Sequence, residues 1–195
     1  MEKSIANTLH EIRDHFGKSS SVEARAATRK FAPTSVKVYG VRLPVINELA
    51  RQYKKGGFDL ATKLWHAGTY EEQLLAAKIL GLAARESPER TIALLMEFST
   101  NISDWAVCDT LGLQSVKTIA AKQENKIIDA AQELLKSPVM WQRRLGIVLL
   151  THYAHVPAKQ QAILAMLSPL RTETEHYIKK AIALIDRDIA KSKLK

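Results

Sequence analysis

Apolar residues recur at helical spacing along most of the chain, and short turn signals separate these stretches. Such spacing places apolar side chains on one face of a helix, whereas a strand would alternate apolar and polar positions. Runs of β-branched residues bounded by turns, which favour strands, are missing from the sequence. The pattern therefore predicts eleven helices, near residues 3–16, 21–31, 43–55, 58–67, 70–84, 88–99, 104–119, 123–136, 138–153, 157–166 and 171–191.

Serine residues define several of the predicted helix starts. Ser20 and Glu23 have capping-box spacing at the start of the second helix. Serine as N-cap followed by proline at the first helical position is predicted at three pairs, 87–88, 137–138 and 168–169. The segment 31–44, "FAPTSVKVYGVRLP", has the weakest helical pattern and is predicted as a loop with a turn at Tyr39-Gly40.

Four aromatic residues mark an internal repeat. Tyr70, Trp105, Trp141 and Tyr177 are 35, 36 and 36 residues apart, and each opens a predicted helix. Because another helix lies between successive copies, the repeating unit is a helix pair of about 35–40 residues. Pairs of this length stack into solenoids with a concave binding face. We therefore predict an all-α fold, a solenoid of stacked antiparallel helix pairs that forms a single domain over residues 1–195.

One copy of the repeat carries a carboxylate where the other copies are apolar. The residues four positions after the aromatics are Leu74, Asp109, Leu145 and Ala181. An unpaired buried carboxylate is costly, so Asp109 should have a partner or a function. The last two copies place cations at neighbouring positions, namely Arg143, Arg144, Lys179 and Lys180. Two interpretations stay open: a functional site at Asp109 beside Trp105, or a structural Asp109–Arg144 ion pair that joins two repeats.

The composition indicates which class of partner the protein binds and in which compartment it is expected. The 195 residues include 29 Lys+Arg and 20 Asp+Glu, a net charge of +9. Such an excess is typical of a basic soluble surface or of a protein that binds a polyanion. No apolar run reaches the ~18 residues that span a membrane, and the charged first residues predict no signal peptide. The single cysteine, Cys108, excludes an internal disulfide, and we expect a cytoplasmic protein in which Cys108 packs in the core.

Metal and nucleotide chemistry have little support in the sequence. His152 and His155 have ligand-like spacing, but a third ligand and an HExxH motif are missing. A glycine-rich phosphate loop is missing too, so we predict no metal and no cofactor. Trp65 and Trp141 are predicted to be core residues.

The segments "WAVCD" and "WQRR", together with "VYGVRLPVINELA", resemble the AlkD-like family of DNA alkylation repair glycosylases over about residues 22–190. The resemblance implies a HEAT-like solenoid whose basic concave face binds duplex DNA containing alkylated bases. It also implies that Trp105, Asp109 and Arg144 form the active site. Further DNA contacts are expected from Arg143, Lys179, Lys180, Tyr39 and Arg42, and we expect a monomer.

The chemistry implied by the resemblance suits these residue types. Hydrolysis of an N-glycosidic bond passes through an oxocarbenium-like sugar. A preorganised carboxylate such as Asp109 stabilises that charge, a contribution of about 3–4 kcal/mol by analogy with other electrostatic groups. Trp105 offers a π face to the cationic sugar or base, and Arg144 holds a nearby phosphate. The expected substrates are cationic purines alkylated at N3 or N7, because these bases are already good leaving groups.

The chain departs from the family pattern at two positions. Ala106 stands where many members have an acidic residue, and Leu184 lies near the position of a further tryptophan. Some branches of the family keep the scaffold without evident glycosylase activity. The alternative is therefore a non-catalytic protein that binds branched or damaged DNA. A HEAT module that binds another protein is the third possibility.

Overall fold

The computed structural model describes residues 4–33 and 36–192, and these residues form an all-helical protein. The α-helices of the described residues are α1 (Ile5–Ser19), α2 (Val22–Arg29), α3 (Leu43–Gln52), α4 (Gly57–Ala67), α5 (Tyr70–Ala83), α6 (Pro88–Phe98), α7 (Trp105–Gln114), α8 (Glu124–Leu135), α9 (Met140–Leu150), α10 (Pro157–Leu167) and α11 (His176–Ser192). Short 3-10 turns lie at Lys54–Gly56, Ser99–Asn101 and Ser168–Thr172. Within these residues there is no strand, so the all-α prediction and its eleven helices are confirmed.

The chain divides into two compact units, and the division in the sequence lies between residues 118 and 119. The first unit contains α1 to α7, and the second contains α8 to α11. The single domain, the stacking of helix pairs into a solenoid and the basic concave face stay predictions.

Helix α5 lies at the centre of the first unit. It packs against α3, α4 and α7, and nearly all its side chains are buried. A helix that is buried all round must satisfy its polar side chains internally. Glu72 does so by accepting hydrogen bonds from the Thr69 hydroxyl at 2.6 Å and from Arg13 Nε at 2.8 Å.

Gly81 sets the distance between α5 and α7. A Cβ added at Gly81 would lie 2.1 Å from the carbonyl oxygen of Gln114, far inside any permitted contact. Only glycine therefore lets the two helices approach this closely, and the approach determines where the α7 side chains lie in the first unit.

Helix α9 occupies the corresponding position in the second unit, packed against α8 and α11. Gly146 allows the close approach to α8, because a Cβ there would lie 2.8 Å from the Ala131 carbonyl oxygen. The rings of Trp141 and Tyr177 lie 4.9 Å apart, so the aromatics of the last two repeat copies contact each other.

Three of the predicted helix caps are wrong. The N-cap of α2 is Ser21, whose hydroxyl accepts from the Ala24 N–H at 3.1 Å, rather than Ser20. Ser137 does not cap α9, because its hydroxyl bonds to the Gln142 side chain and to the Val139 N–H, and the helix begins at Met140. Ser168 and Pro169 lie in a 3-10 turn instead of starting a helix. The prediction at Ser87-Pro88 is confirmed, because Ser87 caps α6 and Pro88 is its first residue.

Some helix boundaries also differ from the prediction. Helix α7 ends at Gln114, five residues early, where the Ser115 hydroxyl donates to the Leu111 carbonyl oxygen. Such side-chain bonds compete with continuation of the helix. Helix α11 begins at His176 rather than 171. The predicted first helical residue, 3, lies outside the described residues. The segment 36–42 is irregular, as predicted, although residues 34 and 35 of the same loop are not described.

No helix in the described part of the chain combines the length and the apolarity that crossing a membrane requires.

Candidate functional site

Trp105 and Asp109 line a cavity of about 690 Å³ in the first unit. Helices α2, α5 and α7 and the residues at the start of α3 form its walls. The α5 and α7 walls are two rows at four-residue spacing, Tyr70, Leu74 and Lys78 on α5 and Trp105, Asp109 and Leu113 on α7. These rows occupy equivalent positions in the predicted repeat, so equivalent faces of the two helices line the same cavity.

Three aromatic rings form one wall of this cavity. The ring of Phe31, just after α2, lies 5.2 Å from the ring of Trp105 and 6.0 Å from that of Tyr70. Trp105 is 37% exposed, whereas Tyr70 is buried. The arrangement offers a partly open π surface to a planar or cationic ligand.

The start of α7 is held by a second carboxylate. Asp104 is buried, and its Oδ1 accepts from the N–H groups of Ala106 at 2.8 Å and Val107 at 3.0 Å. Burial raises the pKa of Asp104, and the charge of Asp109 raises it further, against the lowering effect of these hydrogen bonds. Asp104 is therefore the capping residue, while Asp109, half-buried one turn later, faces the cavity.

Charged groups of both signs line the cavity. Glu23 and Arg42 are exposed at its edge, and Lys78 is half-buried on α5. Burial lowers the pKa of the Lys78 ammonium. Burial raises the pKa of Tyr70, with smaller effects from the charges of Asp104 and Glu71, so its hydroxyl stays protonated at neutral pH.

Glu71 fixes the irregular segment that carries Tyr39 and Arg42. Its carboxylate accepts from the backbone N–H groups of Tyr39 at 2.9 Å, Gly40 at 2.7 Å and Val41 at 3.1 Å. Gly40 has φ +88°, and a Cβ there would lie 2.7 Å from a backbone oxygen. Arg42 lines the cavity.

Tyr39 is held against the protein by its neighbours. Its ring packs 5.2 Å from that of Phe16, and the Lys37 ammonium lies 5.1 Å from the Tyr39 ring centroid. Of the two DNA-contact candidates in this segment, Arg42 therefore has the clearer relation to the cavity.

Arg144 is buried in the second unit, with 5% of its surface exposed. Its guanidinium donates to the Tyr177 carbonyl oxygen at 2.6 Å and lies 5.9 Å from the centroid of that ring. Arg143 donates to the Glu173 carboxylate at 3.0 Å and to the carbonyl oxygens of Ser137 and Pro138 at 2.9 Å. Both arginines are thus held by contacts within their own unit.

The two lysines of the last repeat copy are arranged differently. Lys179 and Lys180 are exposed on α11. Leu184, in the family position of a further tryptophan, is half-buried on the same helix. Among the predicted contacts of the second unit, only these two lysines present an exposed cationic side chain.

A family model described as DNA alkylation repair enzyme matches residues 12–195. The chain belongs to this family. No curated protein sequence matches it. The resemblance to AlkD-like proteins is therefore confirmed, and membership supports a role in DNA alkylation repair and an interaction with DNA.

Sequence reasoning on this DNA alkylation repair family member missed several cavity residues. Lys78 could have been found, because it lies eight residues after Tyr70 on the same face of α5. No sequence pattern placed Phe31 in the cavity, because only the tertiary fold brings the end of α2 against Trp105. Trp65 is buried as predicted, stacked on Phe98 at 4.6 Å, while Trp141 is only half-buried. Cys108 is buried, as predicted.

Within the described residues no group of three or more His, Cys, Asp or Glu side chains could hold a metal ion.

Proposed function

We propose that this protein is a DNA glycosylase that hydrolyses the N-glycosidic bond of cationic N3- or N7-alkylpurines in duplex DNA. The observation that carries the proposal is the cavity in which Asp109 lies on the same helix face as Trp105, beside the rings of Phe31 and Tyr70. Family membership supplies the class of damage, and the cavity supplies the groups for the chemistry.

Asp109 is the electrostatic group of the proposed reaction. As the bond to the base breaks, positive charge develops on the deoxyribose. The Asp109 carboxylate stabilises that charge and orients a water molecule for attack at the anomeric carbon. Its half-buried position strengthens the interaction relative to bulk water, because the surrounding dielectric constant is lower.

The aromatic wall suits a cationic lesion. Trp105 is partly exposed, so its π face can contact the cationic sugar or base. A positively charged alkylpurine leaves as a neutral base and needs little protonation. A strong general acid is therefore not required, and the Tyr70 hydroxyl serves only as a neutral donor.

The cations of the second unit are proposed to hold the DNA backbone. Lys179 and Lys180 are exposed and suited to phosphate contact. Arg144 is proposed to hold a phosphate near the lesion, and Arg143 to support the same surface. In the first unit, Arg42 and Tyr39 are the candidate DNA contacts.

A specific observation favours a second candidate function, a non-catalytic protein for branched or damaged DNA. Arg144 is buried and donates to the Tyr177 carbonyl oxygen, as a structural arginine does. Leu184 also lacks the aromatic surface that the family places nearby. If Asp109 is likewise structural, the protein binds damaged DNA without cleaving it.

The deciding experiment measures release of free methylated base from alkylated duplex DNA by the wild type and by Asp109→Asn. This substitution keeps the shape of the side chain and removes its charge. We expect the wild type to release base and the variant to be slower by ~100-fold or more, the scale of losing one preorganised electrostatic group. Affinity for the duplex should be unchanged.

Asp129→Asn is the matched control, because Asp129 is exposed on α8 and lies outside the cavity. It should excise base at the wild-type rate. Base release by Asp109→Asn at the wild-type rate, with a sharply lowered melting temperature, would make Asp109 a structural residue. Duplex binding by the wild type without any base release would support the non-catalytic function.

A further inference from the structure

A second cleft adjoins the Trp105–Asp109 cavity in the first unit. It has a volume of about 230 Å³ and lies between α3 and α5 and the residues from the end of α7 onward. Lys78 and Gln114 line both spaces. The two spaces are therefore neighbours that share two wall residues.

The lining of the cleft is cationic. Arg51, Lys78 and Lys117 contribute three positive charges, and no carboxylate is among its lining residues. Asn47 and Gln114 add neutral amide groups that can donate hydrogen bonds. The larger cavity differs, because its lining includes two carboxylates, Glu23 and Asp109.

The three cations share the cleft without a carboxylate among its lining residues. Within residues 4–33 and 36–192, none of them forms an ion pair with a carboxylate. Like charges in one small cleft repel each other, and an anion bound among them removes that repulsion. Burial lowers the pKa of Lys78, which is the effect expected of an ammonium without a compensating partner.

We infer that this cleft binds one phosphodiester group of the DNA strand whose nucleotide occupies the Trp105–Asp109 cavity. The inference rests on the proposed function for the identity of the strand. Arg51 supplies a planar fork for two phosphate oxygens, and the lysines supply point charges. Lys78, on the shared wall, lies between this phosphate and the sugar that faces Asp109.

The test uses duplexes with a tetrahydrofuran abasic-site analogue and one neutral methylphosphonate linkage, moved along the damaged strand. Dissociation constants are measured for the wild type and for the double variant Arg51→Ala/Lys117→Ala. In the wild type we expect about tenfold weaker binding when the linkage adjacent to the analogue is neutral. In the double variant the same neutral linkage should have a much smaller effect, because two of the three cations that contact the phosphate are already gone.

Lys63→Ala/Arg85→Ala is the matched control, since it removes the same two charges from exposed positions outside both cavities. It should keep the tenfold effect at that linkage. Arg51 and Lys117 are exposed, so the double variant should keep the wild-type melting temperature.

The inference is overturned if the wild type responds equally at all linkages, or if the double variant keeps the position-specific loss. Because the assay reads binding to an uncleavable analogue, its result is independent of base excision. If the neutral linkage weakens binding at that position but the protein releases no base, the phosphate site is supported and the glycosylase proposal is wrong. If the protein releases base but the neutral linkage has no position-specific effect, only the glycosylase proposal is supported.

Discussion

Two carboxylates five residues apart, one at the N-cap of α7 and one within the helix, have different environments. Asp104 is 1% exposed and accepts two backbone N–H groups, whereas Asp109 is half-buried on the cavity wall. The charge of Asp109 disfavours the charge of Asp104. Asp104 therefore caps the helix, and Asp109 lines the cavity.

Substitutions at Asp104 should separate the effect of its cap from the effect of its charge. Asp104→Ala removes the cap and should lower the free energy of unfolding by about 1 kcal/mol. Asp104→Asn keeps a good cap and removes a buried charge that burial and Asp109 disfavour. At pH 7 we therefore expect Asp104→Asn to unfold at or above the wild-type temperature. Thermal unfolding of the three proteins measures both effects.

The pH dependence follows from the raised pKa of Asp104. The folded state holds the Asp104 proton more tightly than the unfolded state does, so this group favours folding at low pH and loses that effect as pH rises through its folded pKa. The difference in unfolding temperature between Asp104→Asn and the wild type should thus become smaller as the pH is lowered. Equal destabilisation by Asn and by Ala at pH 7 would show instead that the negative charge itself holds the helix start.

The positions of individual residues could be predicted where the spacing of the sequence repeat determined which helix face they share. Trp105 and Asp109 were expected on one helix face, and they do line one cavity. Whether Asp109 is functional or structural stays a prediction, and its side chain is half-buried on the cavity wall. Phe31 could not be predicted, because no local pattern records that its ring contacts Trp105.

At the scale of elements, the geometry of the cavity depends on how closely α7 approaches α5. These helices contribute the two rows that line the cavity, and Gly81 is a point of close approach between them. A side chain at Gly81 would meet the Gln114 backbone rather than a movable side chain. The helices must then separate, and the rows must move with them.

Gly81→Ala should therefore destabilise the protein, although alanine is the better helix former. Overpacking of this kind costs about 1–3 kcal/mol. Gly17→Ala is the control, because a Cβ at Gly17, within α1, meets nothing within 4 Å. We expect Gly17→Ala to leave the melting temperature unchanged or to raise it, by the helix propensity of alanine. Equal effects of the two substitutions in thermal unfolding would contradict the close approach.

The existence of each helix was easier to predict than its ends. Apolar periodicity is a property of the whole segment, and it predicted helices such as α8 at residues 123–136, close to the observed Glu124–Leu135. Ends depend on single hydrogen bonds, and a serine hydroxyl can form such bonds with more than one partner. Ser137, for example, bonds to the Gln142 side chain, and α9 then begins at Met140 instead of directly after Ser137. Such choices are settled by tertiary contacts that the local sequence does not contain.

At the scale of the whole molecule, net charge indicated the partner but not the residues that meet it. The excess of nine positive charges suits a polyanion, and family membership supports DNA. The structure distinguishes cations held by protein contacts from cations that remain exposed. Arg143 and Arg144 belong to the first group, and Lys179 and Lys180 to the second. The sequence pattern alone treated all four alike.

The exposed lysines should therefore set the salt dependence of DNA binding. If Lys179 and Lys180 each neutralise one phosphate, their double alanine variant should reduce the slope of log K against log salt by about 1.8, at roughly 0.9 per contact. Lys122→Ala/Lys136→Ala removes the same charge from exposed positions in the same unit and should leave the slope nearly unchanged. Titrations of a duplex over a range of salt concentrations measure both slopes. Equal reductions in the two variants would mean that binding responds to net charge alone, and the assignment of Lys179 and Lys180 to the DNA surface would be wrong.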